Sequence, residues 1–221
     1  MPSSTLLNKL YHEPTRVIIA DDHPVVLIGT RISLSTLINP ATCITHEAST
    51  PEALIQLLEQ EPCDLIVTDF FMPSENFPDG LALISYIRRN FPHVKLLVMT
   101  MMKNPMILRQ LLKLGVTCLL DKHSPAEEFK SAVRAAIQGR CHLSPSFGLV
   151  LRSPKKGEII NSKLSIKELE VVRLFAQDLS GREIARRLNR SEKTISRQKR
   201  SAMNKLDIQS NSQLAAFGQS F

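Results

Sequence analysis

Arg16-Val17-Ile18-Ile19-Ala20-Asp21-Asp22-His23-Pro24 is the stretch that decides the fold. An apolar, β-branched run ends abruptly on two carboxylates. Three further runs end in the same way. Leu65-Ile66-Val67-Thr68 leads to Asp69, Lys95-Leu96-Leu97-Val98-Met99 to Thr100, and Thr117-Cys118-Leu119-Leu120-Asp121 to Lys122. Short, near-continuous apolar runs separated by helical stretches read as parallel strands buried on both faces. In an open α/β sheet the ligand site lies beyond the carboxyl ends of the strands. Such a sheet gathers Asp21, Asp22, Asp69, Thr100 and Lys122 at one edge. Clustered carboxylates suit a hard divalent cation, and an adjacent lysine and hydroxyl suit the oxygens of a phosphoryl group.

Composition bounds the remainder. A chain of 221 residues exceeds the usual single domain and predicts two. No apolar run approaches the roughly 20 residues that span a bilayer, so no membrane partner is expected. The first fourteen residues lack a continuous apolar segment, which argues against a secretory signal and for a cytoplasmic protein. Cys43, Cys63, Cys118 and Cys141 are widely spaced and form no CxxC pair, and reduced, buried thiols are the expectation. Met99, Met101 and Met102 read as core and loop filler, since no His or Cys shares their spacing.

The charge is lopsided. Residues 1–154 hold 14 Lys and Arg against 14 Asp and Glu, whereas residues 155–221 hold 14 against 7. The whole net charge of +7 therefore sits in the last 67 residues. A basic region of this kind is the electrostatic footprint of a nucleic-acid partner. The pattern within it agrees. Ser165 with Glu168 three residues on is a capping box, and Leu169, Val172, Leu174 and Phe175 follow at helical spacing. Gly181–Leu188 reads as a second, short helix. Asn189-Arg190 is a turn, and a third helix runs from Ser191 to about Leu206 with Ile195, Ala202, Met203 and Leu206 facing inward. Two short helices about a tight turn, the second one basic, describe a helix-turn-helix.

These pieces resemble a known family. Residues 15 to 139, with Asp21-Asp22-His23-Pro24, Asp69-Phe70-Phe71-Met72-Pro73, Thr100 and Lys122, look like a response-regulator receiver domain. Residues 162–217 are similar to the DNA-binding domain of LuxR/NarL/FixJ-type regulators, through Leu164-Ser165, Glu168-Leu169-Glu170-Val171-Val172, Glu183-Ile184-Ala185 and Ser191-Glu192-Lys193-Thr194-Ile195. Within that family the regulators of capsule synthesis resemble the chain in the long loop Met72–Gly80 and in the segment Leu188–Met203.

The resemblance implies a flavodoxin-like, doubly wound receiver followed by a four-helix, helix-turn-helix domain. The expected organisation is an N-terminal extension (1–14), the receiver (15–147), a Pro/Gly-punctuated linker (148–161) and the DNA-binding domain (162–221). It further implies a phosphorylation-controlled transcription regulator rather than an enzyme. Asp69 accepts a phosphoryl group from a phosphohistidine donor, a histidine kinase or phosphotransfer protein. Asp21, Asp22, Asp69 and the Phe71 carbonyl hold Mg²⁺. Thr100 and Lys122 steady the phosphoryl oxygens. Arg190, Lys193, Thr194, Ser196, Arg197, Lys199 and Arg200 contact DNA, as a homodimer or as a heterodimer with another regulator. A second reading makes the receiver a dimerisation and partner-binding module that works without phosphorylation. A phosphohydrolase is weaker, because Phe71 stands where a second acid is needed.

Two positions depart from the family. Leu119 stands three residues before Lys122, where many receivers carry a rotating aromatic switch. Asp207 stands where a glycine often ends the recognition helix. His23 reads as a solvent-edge residue, not as a ligand.

Overall fold

A computed structural model describes residues 15–37, 43–72, 74, 77, 79–152, 164–206 and 208–218. The N-terminal extension 1–14, Asp207, most of the expected linker and part of the Met72–Gly80 loop lie outside these residues. The chain divides into two compact units. One takes in the residues up to Thr100 with Leu112–Ser144, and the other Met101–Leu111 with Pro145–Phe221.

The first unit is built on a parallel sheet of β1 (Thr15–Ala20), β2 (Cys43–Ala48), β3 (Leu65–Asp69), β4 (Lys95–Thr100), β5 (Cys118–Asp121) and β6 (His142–Leu143), in the order β2-β1-β3-β4-β5-β6. The chain alternates these strands with α1 (Pro24–Leu37), α2 (Pro51–Gln60), α3 (Gly80–Asn90), α4 (Pro105–Lys113) and α5 (Ala126–Ile137). This is the flavodoxin-like order, extended by the short β6, which has too few residues to show a sequence pattern. β3 is buried along its whole length, as a central strand covered on both faces must be. One face of the core runs through Val17, Ile19, Leu65, Val67, Leu97, Met99 and Leu120 to Phe129, Ala132 and Val133 of α5.

Register fixes the functional edge. Ala20 pairs with Thr68, Asp69 with Met99, and Thr100 with Asp121. The ladder then runs one step further, with the Lys122 N–H donating to the Thr100 carbonyl at 3.1 Å. Asp21, Asp69, Thr100 and Lys122 therefore leave the sheet at one level.

The second unit contains α6 (Pro145–Arg152), α7 (Ile166–Ala176), α8 (Gly181–Arg187), α9 (Glu192–Leu206) and α10 (Asn211–Gly218). α6 runs through residues 148–152, which the sequence reading placed in the linker. Pro145 is tolerated in a first helical turn, where its missing N–H has no partner to lose, and the segment after it stays helical to Arg152. The predicted capping box on α7 is present, and Ser180 with Glu183 forms a second one on α8. Val171, Leu174, Ile184, Ala185 and Ile195 close a small core among α7, α8 and α9. α10 packs so closely on α7 that a Cβ on Gly218 would lie 2.6 Å from Ala176 Cβ and 2.9 Å from the Val172 carbonyl.

Cys63, Cys118 and Cys141 are free thiols, and of these three Cys118 is buried. Cys63 is half-buried and Cys141 is exposed, which corrects the expectation of uniformly buried thiols. Met99 and Met102 are core residues, whereas Met101 is exposed.

Candidate functional site

Two regions bring the expected residues together, one in each unit. At the sheet edge, Asp21 is fully buried and Asp69 nearly so. The ammonium of Lys122 bridges them, 2.6 Å from Asp21 Oδ2 and 2.8 Å from Asp69 Oδ2. Burial pushes the Asp69 carboxyl up to about 6, against the opposing pull of Lys122. Burial also disfavours the lysine charge, but the two carboxylates override it and hold the Lys122 pKa above its ordinary value. The Phe71 backbone also bonds to Asp69. Thr100 is buried at the end of β4.

Asp22 completes the cluster. Its Oδ1 is buried and has no hydrogen-bond partner, although His23 Nδ1 comes within 2.9 Å. Ligand atoms of Asp21, Asp22, His23 and Asp69 all lie within 4.8 Å of one another. An orphaned carboxylate oxygen beside two other buried carboxylates fits a hard cation, which takes oxygen ligands and supplies the missing partner. His23 is more involved than the sequence suggested. It is exposed, yet its ring also reaches Asp21 Oδ1 at 3.2 Å, because the turn that starts α1 folds it back over both acids. Leu119 is fully buried in β5.

The two ends of the segment leading out of the pocket, Phe70-Phe71 and Gly80, meet through aromatic and backbone contacts. Phe70 and Phe71 have ring centroids 4.4 Å apart. Gly80 starts α3 at φ +61°, with its N–H on the Phe70 carbonyl at 3.1 Å. A Cβ there would meet the Phe71 ring at 3.4 Å in a backbone conformation that side chains avoid.

In the second unit α9 and the turn before it present the expected DNA-contacting side chains in two groups. Lys193, Ser196, Arg197 and Arg200 are exposed and recur at helical spacing on one face. The other three expected contacts are engaged internally. Arg190 donates to Glu170 Oε2 at 2.7 Å and to Gln198 at 3.4 Å. Lys199 lies over the Phe175 ring, 4.2 Å from its centroid. The Thr194 N–H donates to Ser191 Oγ at 3.1 Å, which caps α9. Sequence reasoning missed the partner of Glu168. Beyond its place in the capping box, it accepts from Ser201 at 2.6 Å and Lys205 at 2.8 Å, and so joins α7 to α9. Burial alone would raise its pKa, but Lys205, Ser201 and the Ser165 N–H hold it down, to about 2.

Comparison with known proteins agrees with both regions. Residues 17–134 match the response regulator receiver domain, and residues 162–217 match the bacterial regulatory proteins of the luxR family. The chain belongs to the response regulators that couple a receiver to a LuxR-type DNA-binding domain, a class of phosphorylation-controlled transcription regulators. Within the class it is similar to the transcriptional regulatory protein RcsB of Escherichia coli K12, at 39% identity over 197 residues that cover 88% of this chain and 89% of the relative. It is also 31% identical to the oxygen regulatory protein NreC of Staphylococcus epidermidis, over 91% of this chain and 95% of that one. Among solved structures, RcsB of Salmonella enterica serovar Typhimurium, bound to promoter P1flhDC in the presence of phosphomimetic BeF3-, matches with a TM-score of 0.75. That match has 37% identity and covers 95% of this chain and all of the other. The likeness to capsule-synthesis regulators in the sequence is thus borne out.

Proposed function

We propose that the receiver takes a phosphoryl group on Asp69 from a phosphohistidine donor and thereby controls promoter binding by the C-terminal domain of a dimer, in the cytoplasm. The observation that carries this reading is the convergence of Asp21, Asp22, Asp69 and Lys122 at one strand edge, with an orphaned Asp22 oxygen beside them. A carboxylate oxygen of Asp69 attacks phosphorus, the P–N bond of the donor breaks, and the imidazole keeps the electron pair. Asp21, Asp22, Asp69 and the Phe71 carbonyl would hold Mg²⁺, which offsets the repulsion between a carboxylate and the incoming phosphoryl oxygens. Lys122 exchanges its contact with Asp69 for a phosphoryl oxygen. Thr100 binds another and carries the change into its loop.

The DNA contacts follow exposure. Arg197 and Arg200, with Ser196, suit base edges, because arginine can bind guanine in two places. Lys193 suits a phosphate. Arg190 and Lys199 act in this reading as positioning residues. The chemistry serves as a switch rather than as turnover of a metabolite. The test is transfer of label from acetyl phosphate to wild type and to Asp69→Ala, with promoter binding measured on the same samples. Label retained by Asp69→Ala would overturn the assignment. Promoter binding indifferent to label would favour the phosphorylation-free partner module.

A further inference from the structure

The turn that carries Lys122 is held by a chain of polar side chains outside the acidic pocket. Asp121, the last residue of β5, is almost fully buried. Its Oδ1 accepts from the His123 N–H at 3.0 Å, and its carbonyl accepts from the Ser124 N–H at 2.8 Å. On the other flank β6 joins β5 through the Thr117 and Leu119 carbonyls, which accept from the His142 and Ser144 N–H groups at 2.9 and 3.0 Å. The next rung of a parallel ladder needs a backbone carbonyl for the Asp121 N–H, but at Pro145 the chain has already turned into α6. Ser144 supplies its side chain instead. Its Oγ, in a fully buried residue, accepts from the Asp121 N–H at 2.9 Å. The same hydroxyl donates to Glu128 Oε1 of α5. His142 Nε2 is buried without a hydrogen-bond partner, 3.5 Å from that carboxylate oxygen. Burial would raise the Glu128 pKa, but Ser144, Ser124 and His142 hold it below its ordinary value. The last acceptor of the chain is therefore a charged one, which makes the stronger bond.

We propose that Ser144 is a positioning residue for Lys122 in phosphoryl acceptance, with Glu128 fixing the direction of its hydroxyl. The inference rests on the phosphoryl-acceptor reading above and adds to it two residues from outside the pocket. The Lys122 ammonium has to meet Asp21 at 2.6 Å and Asp69 at 2.8 Å, so its backbone has little room to drift. β4 holds that backbone on one side, through the Thr100 carbonyl, and Ser144 holds the residue before it on the other. Without the hydroxyl the Asp121 N–H and the Glu128 carboxylate each lose a partner. A buried N–H left unpaired is costly, so the turn shifts to find another. A displacement of about 1 Å in a placed group is enough to be felt in its chemistry.

The experiment titrates the full chain with beryllofluoride in the presence of Mg²⁺ and follows the bound fluorines by fluorine NMR. One of them stands where Lys122 would meet a phosphoryl oxygen, so its resonance reports the placement of the lysine. Ser144→Ala should raise the dissociation constant roughly three- to tenfold, the loss of one hydrogen bond, and shift that resonance. Ser144→Thr keeps the hydroxyl and should restore both. Ser144→Val has the shape of threonine without the hydroxyl and should behave like Ser144→Ala. In a Lys122→Met background, Ser144→Ala should cost less than about twofold, because two residues that act through one contact are not additive. Circular dichroism and thermal melting show whether each variant is folded. Glu128→Ala tests the same chain from α5 if a variant at 144 melts early, and it should weaken beryllofluoride in the same direction. An unchanged dissociation constant in the folded variants overturns the proposal. So do Thr and Val variants that behave alike, and a loss that persists in full without Lys122. A wild type that takes up no beryllofluoride would instead overturn the phosphoryl-acceptor reading itself.

Discussion

The guanidinium of Arg190 donates to the Glu170 carboxylate at 2.7 Å, tying the turn before the recognition helix to α7. Both side chains are at most one-third exposed, so solvent screens the pair less than a surface bridge. Arg190→Ala and Glu170→Gln should each destabilise the second unit by about 1 kcal/mol. They should also weaken DNA binding to a similar extent, since each frees the same turn. Anisotropy titrations of both variants check this. Arg190→Ala weakening DNA while Glu170→Gln leaves it unchanged would return Arg190 to the phosphate contacts.

Asp69→Asn should abolish phosphoryl uptake and stabilise the receiver. Ionised Asp69 is disfavoured by burial, with its pKa raised from 3.8 to about 6. The sign is that of a raised carboxyl. The penalty is absent below 3.8, grows up to about 6 and is complete above it. At pH 7.5 without divalent cation the Asn variant should gain roughly 1–3 kcal/mol, measured by urea unfolding. The gain should vanish near pH 4, and Mg²⁺ should shrink it by stabilising the wild type.

The strand-end acids, Lys122 and the helix-turn-helix were legible because each is local: a run of apolar residues and its terminus, or a capping serine three residues from its glutamate. The partners of Glu168, Arg190 and Lys199 were not legible. Lys205 follows Glu168 by 37 residues and Arg190 follows Glu170 by 20, so only the fold decides that they meet. Hence Arg190 and Lys199, basic and close to a basic helix, read as DNA contacts from sequence and sit on internal partners in the structure. His23 is the converse case. Its neighbours are adjacent in sequence, but whether its ring turns to solvent or back over Asp21 and Asp22 depends on the turn into α1.

Glu168 makes the second unit acid-sensitive. Its carboxyl is held down from 4.5 to about 2 by Lys205, Ser201 and Ser165, against burial. A depressed carboxyl contributes its stabilisation above pH 4.5 and loses it as pH falls toward 2. Glu168→Gln should therefore lower the melting temperature of the second unit at pH 7 and lose its effect near pH 2. Equal destabilisation at both pH values would mean that shape, not charge, makes Glu168 important.

Base and phosphate contacts separate by their effect on specificity. Arg200→Ala and Arg197→Ala should lose about 1–3 kcal/mol of discrimination between an operator and a scrambled duplex. Lys193→Ala should weaken both duplexes equally and flatten the salt dependence. Parallel titrations of the two duplexes decide it, and equal weakening by all three substitutions would remove the direct-readout role of Arg197 and Arg200.

Leu119 sets the strength of the switch. It pairs with Val98 in the sheet and is fully buried, so it offers no ring to swing when Thr100 engages a phosphoryl oxygen. A ligand shifts two states only by its differential affinity for them, and here Thr100 and its loop must carry that difference alone. Phosphorylation should therefore change DNA affinity measurably but modestly, and the unphosphorylated protein should keep substantial affinity that a heterodimer partner can use. One promoter titrated with and without beryllofluoride measures the ratio. A hundredfold ratio or more, roughly 2.7 kcal/mol, would show that the switch works without an aromatic. Leu119→Tyr is the companion measurement. A ring forced into this buried position should cost about 1–3 kcal/mol by overpacking, and a larger ratio in that variant would show that only the ring was missing.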